Sequence, residues 1–248
     1  MSCLVYIICS VTLCLLYCTV GSTACVAIIT PHHIVCANAG DARCVVGTAG
    51  KTVALSEDHK PENEQEKNRV EAAGGSIKNG RVDGNLGVSR GFGDGLYKQN
   101  AEIDKIAQKI TPHPDVTIYT RNHETDDVLV LACDGLWDVS ESHEAVEKIR
   151  DLYRSGEQSS LLLAEELVHG ALFEGQSTDN ISAVVCILPA AKFGPKEKGG
   201  VKEIRLEREL EKKHEYAVPK HLFDYLIGME APKPQPGSLF YNDKDEDY

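Results

Sequence analysis

The sequence predicts a layered chain of α+β class, and three observations carry that. Short β-branched runs come in pairs separated by turn signals, which marks antiparallel strands. Two later runs, 127–133 and 181–188, are apolar almost without a break, the pattern of strands covered on both faces. Between those runs lie two segments with helical spacing.

In order, "STACVAII" (22–29) and "HIVCANAG" (33–40) read as an antiparallel strand pair around a Pro-His-His break. "ARCVV" (42–46) and "KTVAL" (51–55) flank Gly-Thr-Ala-Gly, a hairpin signal. "KPENEQEKNRVEAAGG" reads as a helix. Pro61 stands near its start, acidic residues fill its first turns, Lys67 and Arg69 come later, and Gly74 closes it. It carries little apolar surface, so one face is expected on a sheet and the rest in water. "SESHEAVEKIRDLYRSG" offers Ser140 or Ser142 as N-cap and Gly156 as terminator. "SSLLLAEELVHGALFEG" is expected to bury Leu161, Leu162, Ala164, Leu167, Ala171 and Leu172. Beyond Pro189 the composition shifts. Residues 201–214 read as a charged helix, and 232–248 are Pro-rich, then acidic and expected to be disordered. The expected division is 1–20, 21–190, 191–231 and 232–248.

The chain has 248 residues, a size that suits one large domain plus tails. Its net charge of −12 argues against nucleic-acid binding, which needs a basic face. Nine cysteines form no C-x-x-C pair, and several sit in apolar runs. They read as buried thiols in a reducing compartment rather than as a disulfide framework. The Cys14–Cys18 spacing reads as packing rather than zinc binding.

"MSCLVYIICSVTLCLLYCTVG" is apolar almost throughout, and no Asp, Glu, Lys or Arg precedes Asp41. A signal peptide would want a positive n-region. A membrane span would want about 20 apolar residues with cationic flanks. A truncated or alternative start is the favoured expectation, with membrane anchoring a minority reading.

In "LVLACDGLWDVSES" (129–142) an apolar strand runs straight into Asp134, and Asp138 follows four residues later. Asp179 and Asn180 stand just before the run that begins at Ile181. If the two strands are antiparallel neighbours, Asp134 and Asp179 face each other across one sheet rim. Paired carboxylates repel unless a proton or cation lies between them. A hard divalent ion such as Mg²⁺ or Mn²⁺ takes oxygen ligands of this kind. Gly135 allows a sharp turn that could bring Asp138 back to the same place. Asp41, in the "AGDAR" turn, is a fourth candidate. The same residues also read as an ordinary Asp-Gly turn and an Asp-Asn strand cap. His32, His33 and His143 read as surface residues.

Taken together, "GSTACVAI", "ANAGDAR", "LSEDHKPENEQEKNRVEAAGG", "GRVDGNLGVSRGFGD", "VLVLACDGLWDV" and "STDNISAVV" resemble the metal-dependent serine/threonine protein phosphatases of the PPM or type-2C family, in family order over about residues 21–190. The resemblance implies a four-layer α-β-β-α sandwich of two antiparallel sheets flanked by helices, here lacking the first part of the usual domain. It implies hydrolysis of phosphoserine and phosphothreonine on phosphoprotein substrates with Mg²⁺ or Mn²⁺. The protein would be a cytoplasmic or nuclear monomer. Asp134 and Asp179 would ligate one metal, with Asp138 and Asp41 at an additional, weaker site and no catalytic residue beyond these. "SRGFGD" (89–94) and residues 95–114 would form a flap, with Arg90 and Asp94 in structural roles. The family's D-G-H-G-G block, which supplies the bridging aspartate, is absent before Gly21. That departure implies one complete metal site at most. It also implies an alternative: a catalytically impaired pseudophosphatase or phosphoprotein-binding module.

Overall fold

A computed structural model describes residues 4–9, 20–195 and 200–212. The acidic tail, residues 213–231 and the Cys14–Cys18 pair lie outside the described residues. The chain divides into two compact units, residues 1–201 and 202–248. The described part of the second unit is the charged helical stretch 202–212.

The first unit is built on two four-stranded antiparallel sheets, with two short strand pairs beside them, one of them β2 (Gly21–Ser22) with β9 (Phe92–Gly93). One has β1 (Leu4–Cys9), β3 (Ala24–Ile29), β4 (His33–Ala39) and β10 (Asp115–Thr120) in the order β1-β3-β4-β10. The other has β5 (Arg43–Thr48), β6 (Lys51–Ala54), β11 (Asp126–Ala132) and β12 (Ala183–Ile187) in the order β12-β11-β5-β6. Both expected strand pairs are present, with Ala24 opposite Ala39 and Thr48 opposite Lys51. Ala49 and Gly50, at the tip of the second hairpin, both have positive φ (48° and 74°), the geometry of the tightest hairpin turns. The opening segment contributes β1, which pairs with β3 along its whole length, from Leu4–Ile29 to Cys9–Ala24. It supplies the backbone partners that β3 would otherwise lack on that edge.

The period of two sorts the strand residues between layers. Cys25, Ala27, Ile29, Ile34, Cys36, Cys44, Val46, Leu129 and Leu131 fill the space between the sheets. Cys25, Cys36, Cys44 and Cys186 are buried free thiols. Val128, Val130 and Val45 are buried too, on the opposite face of the second sheet. That face is covered by α3 (Ser142–Arg154) and α4 (Ser160–His169), which explains why β11 is buried at every residue. A buried network locks α3 in place. Arg150 donates to Asp127 at 2.7 and 3.0 Å, and the Tyr153 hydroxyl donates to the same carboxylate at 2.9 Å.

Two local expectations change, and a third becomes specific. The N-cap of α3 is Glu141, not Ser140 or Ser142. Its side chain accepts from the Glu144 backbone N–H, and the Glu144 carboxylate accepts from the Glu141 N–H at 2.8 Å, a reciprocal capping box. In α4 the buried seam is Leu163, Glu166 and Leu167, continuing to Gly170 and Ala171, while Leu161 and Leu172 are exposed. Three consecutive leucines hide the phase of the helix. A π turn at Gly170–Glu174 then shifts it again. Finally, the sheet that α1 (Glu64–Ala72) meets is the small two-stranded one of β7 (Ile77–Lys78) and β8 (Arg81–Val82), and the helix buries only Glu66 and Val70.

The reason is an ion network. Glu66 accepts from Arg90 Nε at 3.0 Å and Nη2 at 2.7 Å, from Arg69 at 2.7 Å and from the Ser89 hydroxyl at 2.5 Å. Burial pushes the Glu66 carboxyl up, but these donors outweigh it and bring it down to about 2. Arg90 reaches on to Asp115 at 2.6 Å, tying α1 and the 89–114 segment to β10.

Candidate functional site

β11 and β12 are antiparallel neighbours with Ala132 opposite Ala183. Their ends therefore coincide, which meets the condition posed from the sequence. Cys133 N–H donates to the Ser182 carbonyl at 3.1 Å, and the Cys133 thiol donates to the Asn180 carbonyl at 3.1 Å. Asp134 opens a one-turn helix, α2 (Asp134–Trp137), directly beyond β11. Asp179 precedes β12 by four residues and caps its own loop, its carboxylate accepting from the Asn180 N–H at 2.6 Å. The Ser177 hydroxyl donates to the Gly135 carbonyl at 2.8 Å, binding the two loops together.

Gly135 does more than permit a turn. A Cβ there would stand 2.4 Å from the Asn180 carbonyl oxygen, so the two loops pass at a distance open only to glycine. The Trp137 indole N–H donates to the Ala132 carbonyl at 2.9 Å, folding α2 back on its strand. Asp138 ends that turn, its N–H donating to the Asp134 carbonyl at 2.7 Å, with an exposed side chain.

Asp41 reaches the same rim from the turn before β5 and is buried. His59 fixes that turn. Its Nδ1 accepts from the Gly40 N–H at 3.1 Å, which leaves Nε2 to donate to Asp115 at 3.1 Å.

Between these acids stands a residue that the sequence reading passed over. Lys60 Nζ donates to Asp41 Oδ2 at 2.8 Å and lies 3.7 Å from Asp138 Oδ1. Burial would lower the Lys60 pKa, but Asp41, with Asp138 and Asp134, outweighs it and holds it above the usual lysine range. Asp134 is the reverse case. Burial pushes its carboxyl up, and the negative charges of Asp41, Asp179 and Asp138 push it further against the pull of Lys60. All four aspartates named from the sequence thus share one electrostatic neighbourhood. They do not share one ligating point: among the described residues, no group of three or more His, Cys, Asp or Glu side chains is arranged to hold a metal ion. The lysine binds Asp41 and reaches toward Asp138. Asp134 and Asp179 still offer what a hard cation takes. Mg²⁺ is commonly held by one or two carboxylates, with waters and substrate phosphate completing its shell.

Of the other residues singled out, Arg90 and Asp94 are buried. Arg90 is absorbed by Glu66 and Asp115, and Asp94 packs on Gly21, where no Cβ would fit. His32, His33 and His143 are exposed. No described helix is long and apolar enough to cross a membrane.

The protein phosphatase 2C family profile matches residues 16–181, and the chain belongs to that family. It is 44% identical over 171 residues to protein phosphatase ppm-1.G of Caenorhabditis elegans, across 67% of this chain and 34% of that protein. It is 40% identical over 171 residues to probable protein phosphatase 2C 11 of Oryza sativa subsp. japonica, across 67% of this chain and 47% of that protein. The crystal structure of serine-threonine phosphatase 2C from Toxoplasma gondii superposes with a TM-score of 0.58 at 27% identity, across 68% of this chain and 58% of that one. The chain spans between a third and a half of the length of these two curated relatives.

Proposed function

We propose that this chain carries metal-dependent protein serine/threonine phosphatase chemistry, with Asp134 and Asp179 as the carboxylates that hold a Mg²⁺ or Mn²⁺ ion. The observation that carries this reading is the pairing of the two loops across the β11–β12 rim, where Gly135 lies against Asn180. When bound, such an ion supplies positive charge for phosphoryl oxygens and lowers the pKa of water beside it. The chain's own part is to hold and aim the two carboxylates. Asp134 is fixed by the first turn of α2, Asp179 by its Asn180 cap, and both loops by Ser177. Phosphoserine and phosphothreonine of proteins are the substrate class, in keeping with the similarity to the serine-threonine phosphatase 2C of Toxoplasma gondii. Release of inorganic phosphate from a phosphothreonine peptide in Mn²⁺ tests the reading. Wild type should turn over and Asp134→Asn should lose at least 100-fold, roughly the scale of losing positioning and activation together. Equal rates in the two would remove Asp134 from the chemistry.

A second reading has one observation behind it: no three ligating side chains converge among the described residues. On that reading the protein binds phosphoproteins without turnover. Saturable binding of the same phosphopeptide, with no phosphate released by wild type, would favour it.

A further inference from the structure

Lys60 stands just before α1 on a backbone that is hydrogen-bonded on both sides. The neighbouring His59 is held on both backbone sides, its N–H donating to the Gly40 carbonyl at 3.0 Å and its carbonyl accepting from Ser89 at 3.2 Å (N–H) and 2.8 Å (hydroxyl). The Lys60 carbonyl accepts from the Asn63 N–H at 3.1 Å, and Pro61 stiffens the next step. The stem therefore leaves a fixed backbone, and its ammonium arrives between Asp41 and Asp138.

We propose that the Lys60 ammonium serves as the resident cation of the Asp41–Asp138 pair, so that this chain takes one divalent ion, at Asp134 and Asp179, rather than two. The proposal rests on the metal reading above. An ammonium is a compact point charge with three donors, well suited to standing between carboxylates. A divalent ion ligates carboxylate oxygen at about 2.0–2.1 Å for Mg²⁺. Nζ already lies 2.8 Å from Asp41 Oδ2, so an ion on that oxygen would meet both the lysine's volume and its charge. Asp41 is buried and needs a positive partner, since a buried carboxylate stripped of one is strongly disfavoured. Lys60 answers that need without drawing on solvent. Lys60 is thus a positioning residue that sets metal stoichiometry.

Calorimetric titration of the full chain with Mn²⁺ alone tests this. Wild type should bind one ion. Lys60→Met should bind two, the second more weakly, as the freed Asp41–Asp138 pair recruits a cation. Lys60→Arg, which keeps the charge, should return to one. If Lys60→Met fails to fold by circular dichroism, Lys60→Gln is read in its place. Two ions in wild type, or one in the charge-removed variant, would overturn the role of Lys60 while leaving the Asp134–Asp179 site standing. Asp134→Asn should abolish the wild-type ion. No saturable binding in wild type or any variant would overturn the metal reading and this proposal together.

Discussion

At Gly135 the distance between two backbones, not a side chain, sets the geometry of the rim. Replacing its hydrogen with a methyl puts carbon 2.4 Å from the Asn180 carbonyl, and backbone cannot swing aside as a flexible side chain can. Gly135→Ala is therefore expected to cost about 1–3 kcal/mol, the range for forcing atoms into filled space. Because the strain falls on the loops that carry Asp134 and Asp179, Mn²⁺ affinity should drop about tenfold or more, as when a ligand loses its outer support. Urea unfolding and Mn²⁺ titration on one preparation read both effects, and an unchanged affinity would uncouple the contact from the site. The sequence signalled a turn at Asp-Gly, since glycine relaxes φ and ψ wherever it stands. It could not signal the contact, because Asn180 comes 45 residues later by residue number. Lys60 was hidden for the same reason. Beside Pro61 at a helix entrance it looks like any solvated lysine, and Asp41 lies 19 residues away.

Elements were legible in proportion to how much of their patterning is local. The strands β3, β4, β5, β6, β11 and β12 announce themselves because β-branched runs and turn residues act over a few positions. The apolar continuity of β11 and β12 marked them as covered on both faces, but their antiparallel meeting was only a condition the sequence posed, which the register meets. The face of α4 did not follow, because Leu161–Leu163 satisfies more than one helical phase and the π turn at Gly170–Glu174 leaves Leu172 exposed while Ala171 stays buried. Helix α3 shows how capping is decided in competition. Ser142 looked like a cap, but its hydroxyl accepts from Arg43 Nη1 at 2.9 Å, so Glu141 and Glu144 cap each other instead. Glu144→Ala should accordingly destabilise the fold by about 1 kcal/mol, the ordinary worth of a capping interaction. Ser142→Ala should leave the helix start intact and disturb Arg43, which also donates to Asp58 at 2.8 and 2.9 Å and stacks over Trp137. Thermal midpoints of the two variants check the assignment. A larger loss for Ser142→Ala, with Arg43→Lys showing none, would return the cap to the serine.

Across the whole first unit, α1, the 89–114 segment and β10 are joined through one buried carboxylate. Glu66 holds Arg69 within its own helix, Ser89 and Arg90 in the next segment, and through Arg90 the edge strand at Asp115. In the sequence this glutamate is one acid among several on a polar helix, and its partners Ser89 and Arg90 stand 23 and 24 residues away. The network makes the molecule sensitive to acid in a defined window. The folded-state pKa of Glu66 lies near 2, below the ordinary value of 4.5, so its contribution is complete above that ordinary value and disappears as pH falls through the folded one. A difference of that size corresponds to about 3 kcal/mol. Asp115 moves in the same direction: burial pushes it up, but His59 and Arg90 pull it lower. Asp94 opposes them, because burial raises its pKa and protonation relieves it as acid is added. Glu66 dominates because it is buried and meets three partners at once. Stability from urea unfolding should therefore fall steeply between about pH 5 and pH 2 in wild type. Glu66→Gln should start lower by about 3 kcal/mol at pH 7 and lose much less over the same interval, since its amide carries no charge to remove. Parallel curves for the two proteins would show that acid acts elsewhere, and that the tie between helix, flap segment and edge strand does not depend on the charge of this carboxylate.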